Sequence, residues 1–111
     1  MLPRSAMGKV YIAELSQYVG QTVELRGWVY NKRSSGKIKF LLLRDGTGIS
    51  QCVYFKGDCD EAAFESFEKL TQESSVVVTG VVKAEPRSPG GFEIGAKQLK
   101  IISVAQEYPI S

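Results

Sequence analysis

The stretch KIKFLLLRDGTGISQCVYF, residues 37–55, decides the fold of this 111-residue chain. Its two halves are short runs rich in apolar and aromatic residues, which are typical of β-strands. Between them, Asp45-Gly46-Thr47-Gly48 is the kind of turn sequence that closes a hairpin. The sequence therefore predicts two adjacent antiparallel strands, Lys37–Arg44 and Ile49–Phe55, at the centre of the fold.

The stretch before this hairpin, from Thr22 to Arg33, alternates between apolar and polar side chains, which predicts a strand with one buried face. One face carries Val23, Leu25, Gly27 and Val29, and the other carries Glu24, Arg26, Trp28 and Tyr30. Ser34-Ser35-Gly36 supplies the turn that follows. A tryptophan beside a glycine on a strand is more often a packing residue than a platform for a base, so we expect Trp28 to pack.

The N-terminal part of the chain is predicted to contain one short capping helix. Residues 1–8, MLPRSAMG, lack periodicity and are expected to be a leader or a cloning remnant, which leaves residues 9–111 as the domain. Residues 9–19 have apolar side chains at helical spacing and predict a helix that stops at Gly20. These side chains are Ile12, Leu15 and Val19.

A second helix is predicted from Cys59 to Leu70, after the third strand. Asp58 and Glu61 form the pattern D-x-x-E, which resembles a capping box. Apolar residues then recur at three- and four-residue spacing, so the helix is expected to bury one stripe. This stripe consists of Ala63, Phe64, Phe67 and Leu70.

The last part of the chain supplies two more strands. Ser75–Lys83 is the fourth, with Gly80 as a candidate for a bulge or a bend. The prolines and glycines of Glu85–Gly91 predict a loop, and Phe92–Val104 is the fifth strand, with an interruption expected near Gly95.

Three strands, a helix and two strands predict an all-β fold. In a domain of this size we expect a five-stranded Greek-key β-barrel of the OB type, with its helix between strands three and four. An SH3-like barrel is the alternative, but it has no natural place for that helix.

The amino-acid composition limits the classes of protein to which this chain can belong. Hydrophobic residues make up 43% of the chain, which suits one domain with a core. No apolar run approaches the roughly 20 residues of a membrane span, and no signal-peptide pattern opens the chain, so we expect a cytoplasmic protein without membrane contact. The net charge of +2 permits nucleic-acid binding but does not indicate it.

Histidine is absent from the sequence. This removes Ser-His and Cys-His catalysis and ordinary zinc sites, and no nucleophile–base pair can be assembled for a hydrolase. Two cysteines, Cys52 and Cys59, do not make a secreted disulfide framework, although one disulfide between them is possible. Because Cys52 lies in a strand-like run and Cys59 at a predicted helix start, we expect free thiols.

The predicted barrel has a recognised binding edge across strands two and three, framed by the loops between strands one and two and between strands four and five. The first of these loops, residues 31–39, is rich in cations that can attract phosphates. A solvated loop is the ordinary alternative, and the position at the binding edge favours binding. The cations are Lys32, Arg33, Lys37 and Lys39.

Phe40 and Gln51 are candidates for contact with a base. An aromatic ring can stack on any unstacked base, and an amide can pair with a Watson–Crick edge. The alternatives are a core phenylalanine and an exposed polar residue, and alternation does not decide because residues 38–43 are apolar on both faces. In the last loop region Arg87 can reach a phosphate and Glu93 can accept a hydrogen bond from guanine, or both can simply face solvent.

Several segments resemble a known family. GWV at residues 27–29, KRSSGKI-x-F at residues 32–40, and LRDGTG at residues 43–48 with Gln51 are similar to the N-terminal anticodon-binding domain of class IIb aminoacyl-tRNA synthetases. This subgroup comprises the asparaginyl, aspartyl and lysyl enzymes.

The resemblance is strongest to the bacterial-type asparaginyl branch. RSPGGFEI at residues 87–94 and EYPI at residues 107–110 are the segments that favour this branch. The similarity runs from about Val10 to Ile110, essentially the whole chain after the predicted leader.

The resemblance implies a role for each candidate. Phe40 matches a phenylalanine that stacks on the central anticodon uridine, and Gln51 matches a glutamine that hydrogen-bonds that base. Arg33 matches an arginine that contacts the anticodon strand. Glu93 matches an acidic position that reads the first anticodon base, a guanine or its derivative. The further RNA-binding candidates are Lys32, Lys37 and Arg87.

The partner implied is a tRNA, through its anticodon loop, with tRNA-Asn and its GUU anticodon favoured. An aspartyl domain is the closest alternative, because the two tRNAs share their first two anticodon bases. The second alternative is a free-standing or engineered OB module that binds a protein.

In the family, a catalytic domain that uses ATP and magnesium follows the OB domain. No class II catalytic motif occurs in these 111 residues. We therefore expect neither aminoacylation nor a cofactor in this chain, a monomeric isolated domain, and a homodimeric parent enzyme.

Overall fold

The computed structural model describes residues 10–103, and five strands in this part of the chain close into one barrel. The strands are β1 (Thr22–Ser35), β2 (Ile38–Arg44), β3 (Ile49–Phe55), β4 (Ser75–Ala84) and β5 (Phe92–Ser103). Their order around the barrel is β1-β2-β3-β5-β4, with β3 and β5 parallel and the other pairs antiparallel. The predicted five-stranded Greek-key barrel is confirmed.

Short helices occupy the connections. Helix α1 (Glu61–Ser66) and the 3₁₀ turn Phe67–Lys69 lie between β3 and β4, as predicted. A 3₁₀ helix, Ile12–Gln17, precedes β1, and a 3₁₀ turn, Pro89–Gly91, precedes β5. None of the helices in residues 10–103 is long and apolar enough to cross a membrane.

The element bounds differ from prediction mainly at their ends. β1 continues two residues further than expected, to Ser35, and β5 is continuous through Gly95, where an interruption was expected. The predicted leader, residues 1–8, and Val104, the predicted end of the fifth strand, lie outside the described residues.

One hydrophobic core fills the barrel. The buried face of β1 is the predicted one, since Val23, Leu25 and Val29 are all buried. Full burial of a leucine or valine side chain stabilises the fold by about 1.5–3 kcal/mol relative to exposure. The other strands and helices contribute Leu15, Leu41, Leu43, Tyr54, Phe67, Leu70, Val76, Val78, Val82 and Ile94.

The structure shows which side chains of β2 face the core, a question that the apolar sequence of this strand left open. Leu41 and Leu43 point inward and are fully buried, whereas Phe40 and Leu42 lie on the outward face and are half-buried. Because side chains alternate along a strand, Phe40 cannot belong to the core that Leu41 fills.

Lys39 corrects a prediction, since it is not one of the solvent-facing cations. Its side chain points inward and the residue is only 7% exposed. Its ammonium donates to the Phe64 carbonyl (2.8 Å), pairs with Glu68 (2.7 Å) and lies 4.2 Å from the centroid of the Phe64 ring. A buried ammonium needs such partners, so Lys39 ties the α1 segment to the barrel and is not available to a phosphate.

The start of α1 also differs from prediction. The N-cap is Asp60, without a side-chain capping bond, so Asp58 and Glu61 do not form a capping box. Asp58 instead pairs with Lys97 on β5 (Nζ–Oδ2 3.0 Å). The predicted apolar stripe is confirmed by the burial of Ala63, Phe67 and Leu70, with Phe64 half-buried against the core.

The Asp45–Gly48 turn holds the N-terminal 3₁₀ helix as well as closing the hairpin. Asp45 accepts hydrogen bonds from the Ile12 amide (2.8 Å) and from the amide and hydroxyl of Thr47 (2.8 and 2.7 Å). The Thr47 hydroxyl accepts a bond from the Ala13 amide (3.1 Å). The helix ends at Gln17, so Val19, which the sequence placed in the helix with Ile12 and Leu15, lies beyond it and is exposed.

Gly80 is confirmed as the site of a bulge. The register between β4 and β5 shifts between Thr79 and Gly80. A Cβ atom on Gly80 would lie 2.5 Å from the Gly95 carbonyl oxygen and 2.8 Å from the Ala96 Cα. The two strands are too close at this point for any side chain.

Trp28 is not the packing residue that was expected. It lies on the outward face of β1 and is 41% exposed. The guanidinium of Arg44, its neighbour on β2, lies 5.9 Å from the centroid of the indole.

Both cysteines are free thiols, as predicted. Burial raises the pKa of the Cys52 thiol, with a further contribution from the charge of Glu93. Desolvation, followed by the charges of Asp58 and Asp60, raises the pKa of Cys59. Both thiols are therefore neutral at physiological pH and poor nucleophiles.

Candidate nucleic-acid interface

A shallow cleft lies on the outward face of β1, β2 and β3. It is lined by Asn31, Lys32, Arg33, Phe40, Leu42 and Gln51. The strand register explains this set, because Arg33 is paired with Phe40 and Leu42 with Gln51. Gln51 is in turn paired with Glu93 on β5. Four of the predicted site residues, Arg33, Phe40, Gln51 and Glu93, therefore lie together across four neighbouring strands.

The aromatic part of the cleft is the pair formed by Arg33 and Phe40. The guanidinium carbon of Arg33 lies 4.1 Å from the centroid of the Phe40 ring, which is a cation–π stacking distance. The phenyl ring therefore has a face that a flat group can cover. A nucleobase is also a flat group that stacks on aromatic rings.

The polar part of the cleft is a hydrogen-bonded pair that involves Gln51 and Glu93. The Gln51 amide nitrogen donates to Oε1 of Glu93 (3.3 Å), and the Ser88 hydroxyl donates to the same oxygen (3.1 Å). Within residues 10–103 no donor reaches the second carboxylate oxygen of Glu93. The arrangement leaves the Gln51 carbonyl and this second oxygen as acceptors for a ligand.

Lys32 is one of the residues that line the cleft, but its ammonium is engaged elsewhere. It donates to the carbonyls of Phe67 (3.0 Å) and Glu68 (3.4 Å) and lies 5.2 Å from the centroid of the Phe67 ring. These bonds cap the turn after α1. The structure thus gives Lys32 a structural role, where the sequence predicted a contact with RNA.

Lys37 and Arg87 lie in the two loops that frame the cleft and do not line it. Lys37 is exposed in the turn between β1 and β2. Arg87 is exposed in the loop between β4 and β5. Both positions leave a cation in solvent beside the cleft, and their predicted contacts with phosphates stay predictions.

Four residues of this region were not singled out in the sequence, and the first of them is Asn31, which lines the cleft. Leu42 forms part of the cleft beside Gln51, and alternation could not have placed it there, because the run of residues 38–43 is apolar on both faces. Ser88 is buried and orients Glu93, for which the sequence gives no signal. Lys83 is the cross-strand neighbour of Glu93 and adds an exposed cation.

Comparison with known proteins gives the family. Residues 23–102 match the tRNA anti-codon family, described as OB-fold nucleic acid binding domain. The chain belongs to this family. The match covers all five strands of the OB domain almost completely and includes every residue of the cleft.

Asparagine–tRNA ligases are among the relatives of this OB domain. It is 54% identical over 102 residues to the asparagine–tRNA ligase of Symbiobacterium thermophilum, an alignment that covers 92% of the chain and 23% of the ligase. The chain spans about a quarter of the length of the curated relatives it matches. The predicted resemblance to the asparaginyl branch is confirmed.

Two solved structures show the same barrel. The asparaginyl-tRNA synthetase of Pyrococcus horikoshii complexed with asparaginyl-adenylate is 44% identical, with a TM-score of 0.83 over 95% of this chain and 24% of that chain. OBody AM2EP06 bound to hen egg-white lysozyme is 25% identical, with a TM-score of 0.78 over 95% of this chain and 99% of that chain.

Proposed function

We propose that this OB domain binds the anticodon loop of a tRNA, and specifically that of tRNA-Asn. The observation that carries the proposal is the outward row of Arg33, Phe40, Gln51 and Glu93 across four neighbouring strands. The row combines a stacking surface, a cation and two base-edge acceptors. Single-stranded RNA loops are recognised by this combination of groups.

Stacking on Phe40 accounts for the first contact. In the free chain the Arg33 guanidinium covers the ring. A base that stacks on this face takes the place of the guanidinium, which then pairs with a backbone phosphate. Stacking of this kind contributes about 1–3 kcal/mol per base and tolerates any base.

Gln51 and Glu93 account for the choice of bases. Because the Gln51 amide nitrogen donates to Glu93, its carbonyl is the group left to accept a bond from the N3–H of a uracil. The second carboxylate oxygen of Glu93 can accept from the N1–H and N2–H groups of a guanine. These contacts correspond to the first two bases of a GUU anticodon.

The joining of asparagine to tRNA is, in this proposal, the work of a longer ligase in which such a domain reads the anticodon in the cytoplasm. The ATP and magnesium for that reaction belong to the part of the ligase outside these residues.

Binding of short RNA hairpins tests the proposal. Fluorescence anisotropy with anticodon stem-loops carrying GUU, GUC or an unrelated anticodon is expected to rank GUU first and the unrelated loop last. Equal affinity for GUU and GUC would remove the preference for tRNA-Asn. Failure to bind any of the three at low salt, where attraction to phosphate is strongest, would remove the tRNA function itself.

Protein binding is the second candidate, and one observation favours it. OBody AM2EP06, a barrel of similar length, is bound to hen egg-white lysozyme. If this face of the domain binds a protein and does not bind RNA, the anticodon stem-loops are not expected to displace a protein bound there.

A further inference from the structure

Ser88 is a buried polar residue in a loop that otherwise faces solvent. It is 8% exposed, whereas both of its neighbours, Arg87 and Pro89, are exposed. Among residues 85–91 it is the only one that is buried. Burial of a hydroxyl costs free energy unless the group is hydrogen-bonded, so a serine at this position indicates a partner that uses it.

The hydroxyl of Ser88 does not have the ordinary role of a serine in this position. Ser88 is the N-cap of the 3₁₀ turn Pro89–Gly91, and a serine at an N-cap usually accepts a hydrogen bond from an amide of the following turn. Within the described residues no such bond is formed. The hydroxyl instead donates to Oε1 of Glu93 (3.1 Å). The side chain therefore serves the carboxylate and not the turn.

The backbone of the loop holds Ser88 in place. Its amide donates to the Glu85 carbonyl and its carbonyl accepts from the Gly91 amide, both at 2.9 Å. The Glu85 amide donates to the Gly91 carbonyl (2.9 Å), which closes the loop at its base. Pro89 restricts the residue before it to extended backbone, and Ser88 has this conformation, with a φ of −85° and a ψ of 157°. A loop with a fixed backbone thus presents the hydroxyl to Glu93.

Ser88 is the first member of a three-residue network. Oε1 of Glu93 accepts from the Ser88 hydroxyl and from the Gln51 amide nitrogen (3.3 Å). Gln51 and Glu93 are also cross-strand partners on β3 and β5. Because one carboxylate oxygen takes both donors, the hydroxyl fixes the rotation of the carboxylate. The carboxylate in turn fixes the Gln51 amide, with its nitrogen toward Glu93 and its carbonyl left for a ligand.

A fixed carboxylate distinguishes guanine from adenine. The Watson–Crick edge of guanine has two donors, N1–H and the N2 amino group, and the second oxygen of Glu93 can accept from them. The edge of adenine has a lone pair at N1, which an oxygen in the same place repels. A carboxylate that can turn away tolerates both bases. Discrimination at the first base therefore needs a group that holds Glu93.

A fixed amide distinguishes uracil from cytosine in the same way. N3 of uracil carries a hydrogen and can donate to the Gln51 carbonyl, whereas N3 of cytosine carries a lone pair that the carbonyl repels. An amide that is free to flip presents its nitrogen to cytosine and loses this distinction. The bond from Gln51 to Glu93 opposes that flip.

We propose that Ser88 is a positioning residue that sets the base specificity of the cleft. It acts through Glu93 on the first anticodon base, and through Glu93 and Gln51 on the second. The two bases are then not read independently, because both readers depend on the same carboxylate oxygen. This inference rests on the anticodon function proposed above and adds a determinant that does not itself contact a base.

Base discrimination in stem-loop binding tests this role. Fluorescence anisotropy gives the affinities for GUU, AUU and GCU stem-loops, and the readouts are the ratio of GUU to AUU and the ratio of GUU to GCU. Ser88→Ala is expected to lower both ratios several-fold. The slope of log K against log salt is expected to stay the same, because no charge is removed.

Ser35→Ala is the matched control. It removes an exposed serine hydroxyl at the end of β1, beside the other loop that frames the cleft, and is expected to leave both ratios unchanged. A purely structural role of Ser88 gives a different result. If its hydroxyl only held the loop, Ser88→Ala would weaken all three stem-loops by the same factor, and unchanged ratios would overturn the proposal.

Substitution of Glu93 shows whether Ser88 acts through it. Glu93→Ala alone is expected to lower the ratio of GUU to GCU as well as that of GUU to AUU, and an unchanged GUU to GCU ratio would refute the coupling of the two bases. In the Glu93→Ala background, Ser88→Ala is expected to have no further effect on either ratio. A further loss there would mean that Ser88 acts on the RNA directly, which contradicts a positioning role.

A measurement without RNA checks the network itself. In NMR spectra the Gln51 side-chain amide, assigned by comparison with Gln51→Leu, is expected to exchange faster with solvent in Ser88→Ala than in the parent chain or in Ser35→Ala. Equal exchange in all three would overturn the role of Ser88 whether or not RNA binds. If the parent chain binds no stem-loop, or binds all of them equally, the anticodon proposal itself fails. If the parent chain discriminates and Ser88→Ala discriminates equally well, only the role of Ser88 fails.

Discussion

The Phe40 ring is half-buried on the outward face of β2, between Lys39 and Leu41, which both point inward. Arg33 covers the ring from the neighbouring strand. Removing this ring takes away a stacking surface but leaves the residues that fill the barrel in place. A substitution at Phe40 therefore tests RNA binding without a large effect on folding.

Phe40→Ala is expected to weaken binding of the GUU stem-loop by about 1–3 kcal/mol, the value of one stacked base. The melting temperature is expected to change little. Anisotropy titration and thermal denaturation measure the two effects, and Phe55→Ala, also an exposed aromatic on the barrel, is the control. Unfolding of the Phe40 variant with no specific loss of affinity would show that the ring is structural.

Two lysines that are close in sequence are expected to behave differently. Lys37 is exposed in the β1–β2 turn, whereas the ammonium of Lys32 is bound to the carbonyls of Phe67 and Glu68. Lys37→Ala is expected to reduce the slope of log K against log salt by about 0.7–1, the contribution of one phosphate contact. Lys32→Ala is expected to lower stability and leave the slope nearly unchanged. A larger slope change for Lys32 would restore it as a phosphate contact.

At the scale of elements, the short helix α1 depends on the barrel for its position. It has six residues and no side-chain cap, and helices this short are not stable alone. Lys39 from β2 reaches across to the Phe64 carbonyl and to Glu68, and Lys32 from β1 caps the following turn. Two lysines of the sheet thus hold the helical connection against the barrel.

The pairing of Lys39 with Glu68 predicts a dependence of stability on pH. The hydrogen bond from Lys39, followed by its charge, lowers the pKa of the Glu68 carboxyl from 4.5. A carboxyl whose pKa is lowered by folding stabilises the native state above its unfolded pKa and loses that effect as the pH falls through the folded value. Urea denaturation between about pH 3 and 7 measures how the free energy of unfolding changes with pH. This range of about 4 units includes the usual pKa values of carboxyl groups.

Glu68→Gln is expected to reduce stability at neutral pH and to differ less from the parent chain as the pH falls below about 4.5. Glu65→Gln, at an exposed carboxylate of the preceding helix α1, is the control. If the two variants lose stability equally at every pH, the Glu68 interaction does not contribute.

At the scale of the whole molecule, closure of the barrel depends on the contact between β4 and β5. These two strands have the longest pairing in the sheet, and the bulge at Gly80 lies within it. The backbone carbonyl of Gly95 and the Cα of Ala96 occupy the space into which a side chain at Gly80 would point. Backbone atoms cannot move aside as the end of a flexible side chain can.

Gly80→Ala is therefore expected to destabilise the domain by about 1–3 kcal/mol, as overpacking of a core does. Gly95→Ala is the informative comparison, because the atom nearest to its added Cβ is the Lys83 Cε at 2.9 Å, which can rotate away. Urea denaturation is expected to show the larger loss for Gly80. Similar losses for both variants would mean that the β4–β5 contact adapts to a side chain.

The sequence by itself determined the five strands, the helix between the third and fourth, and the barrel they form. These features follow from the two-residue and three-to-four-residue periods of apolar side chains and from turn residues such as Asp45 and Gly46, all of which are local signals. The apolar run of β2 held no such signal for Phe40, and only the resemblance to a family pointed it outward.

The tertiary structure decided which polar and aromatic side chains are free to bind. Lys32 and Lys39 look like Lys37 in the sequence, but their ammonium groups bond to carbonyls 35 and 25 residues away in the chain. Trp28 looks like a packing residue, yet it is exposed beside Arg44. Whether each of these side chains is free to bind a ligand depends on a partner that is distant in the sequence. Only the closed barrel brings the two together, so no local sequence pattern can predict the contact.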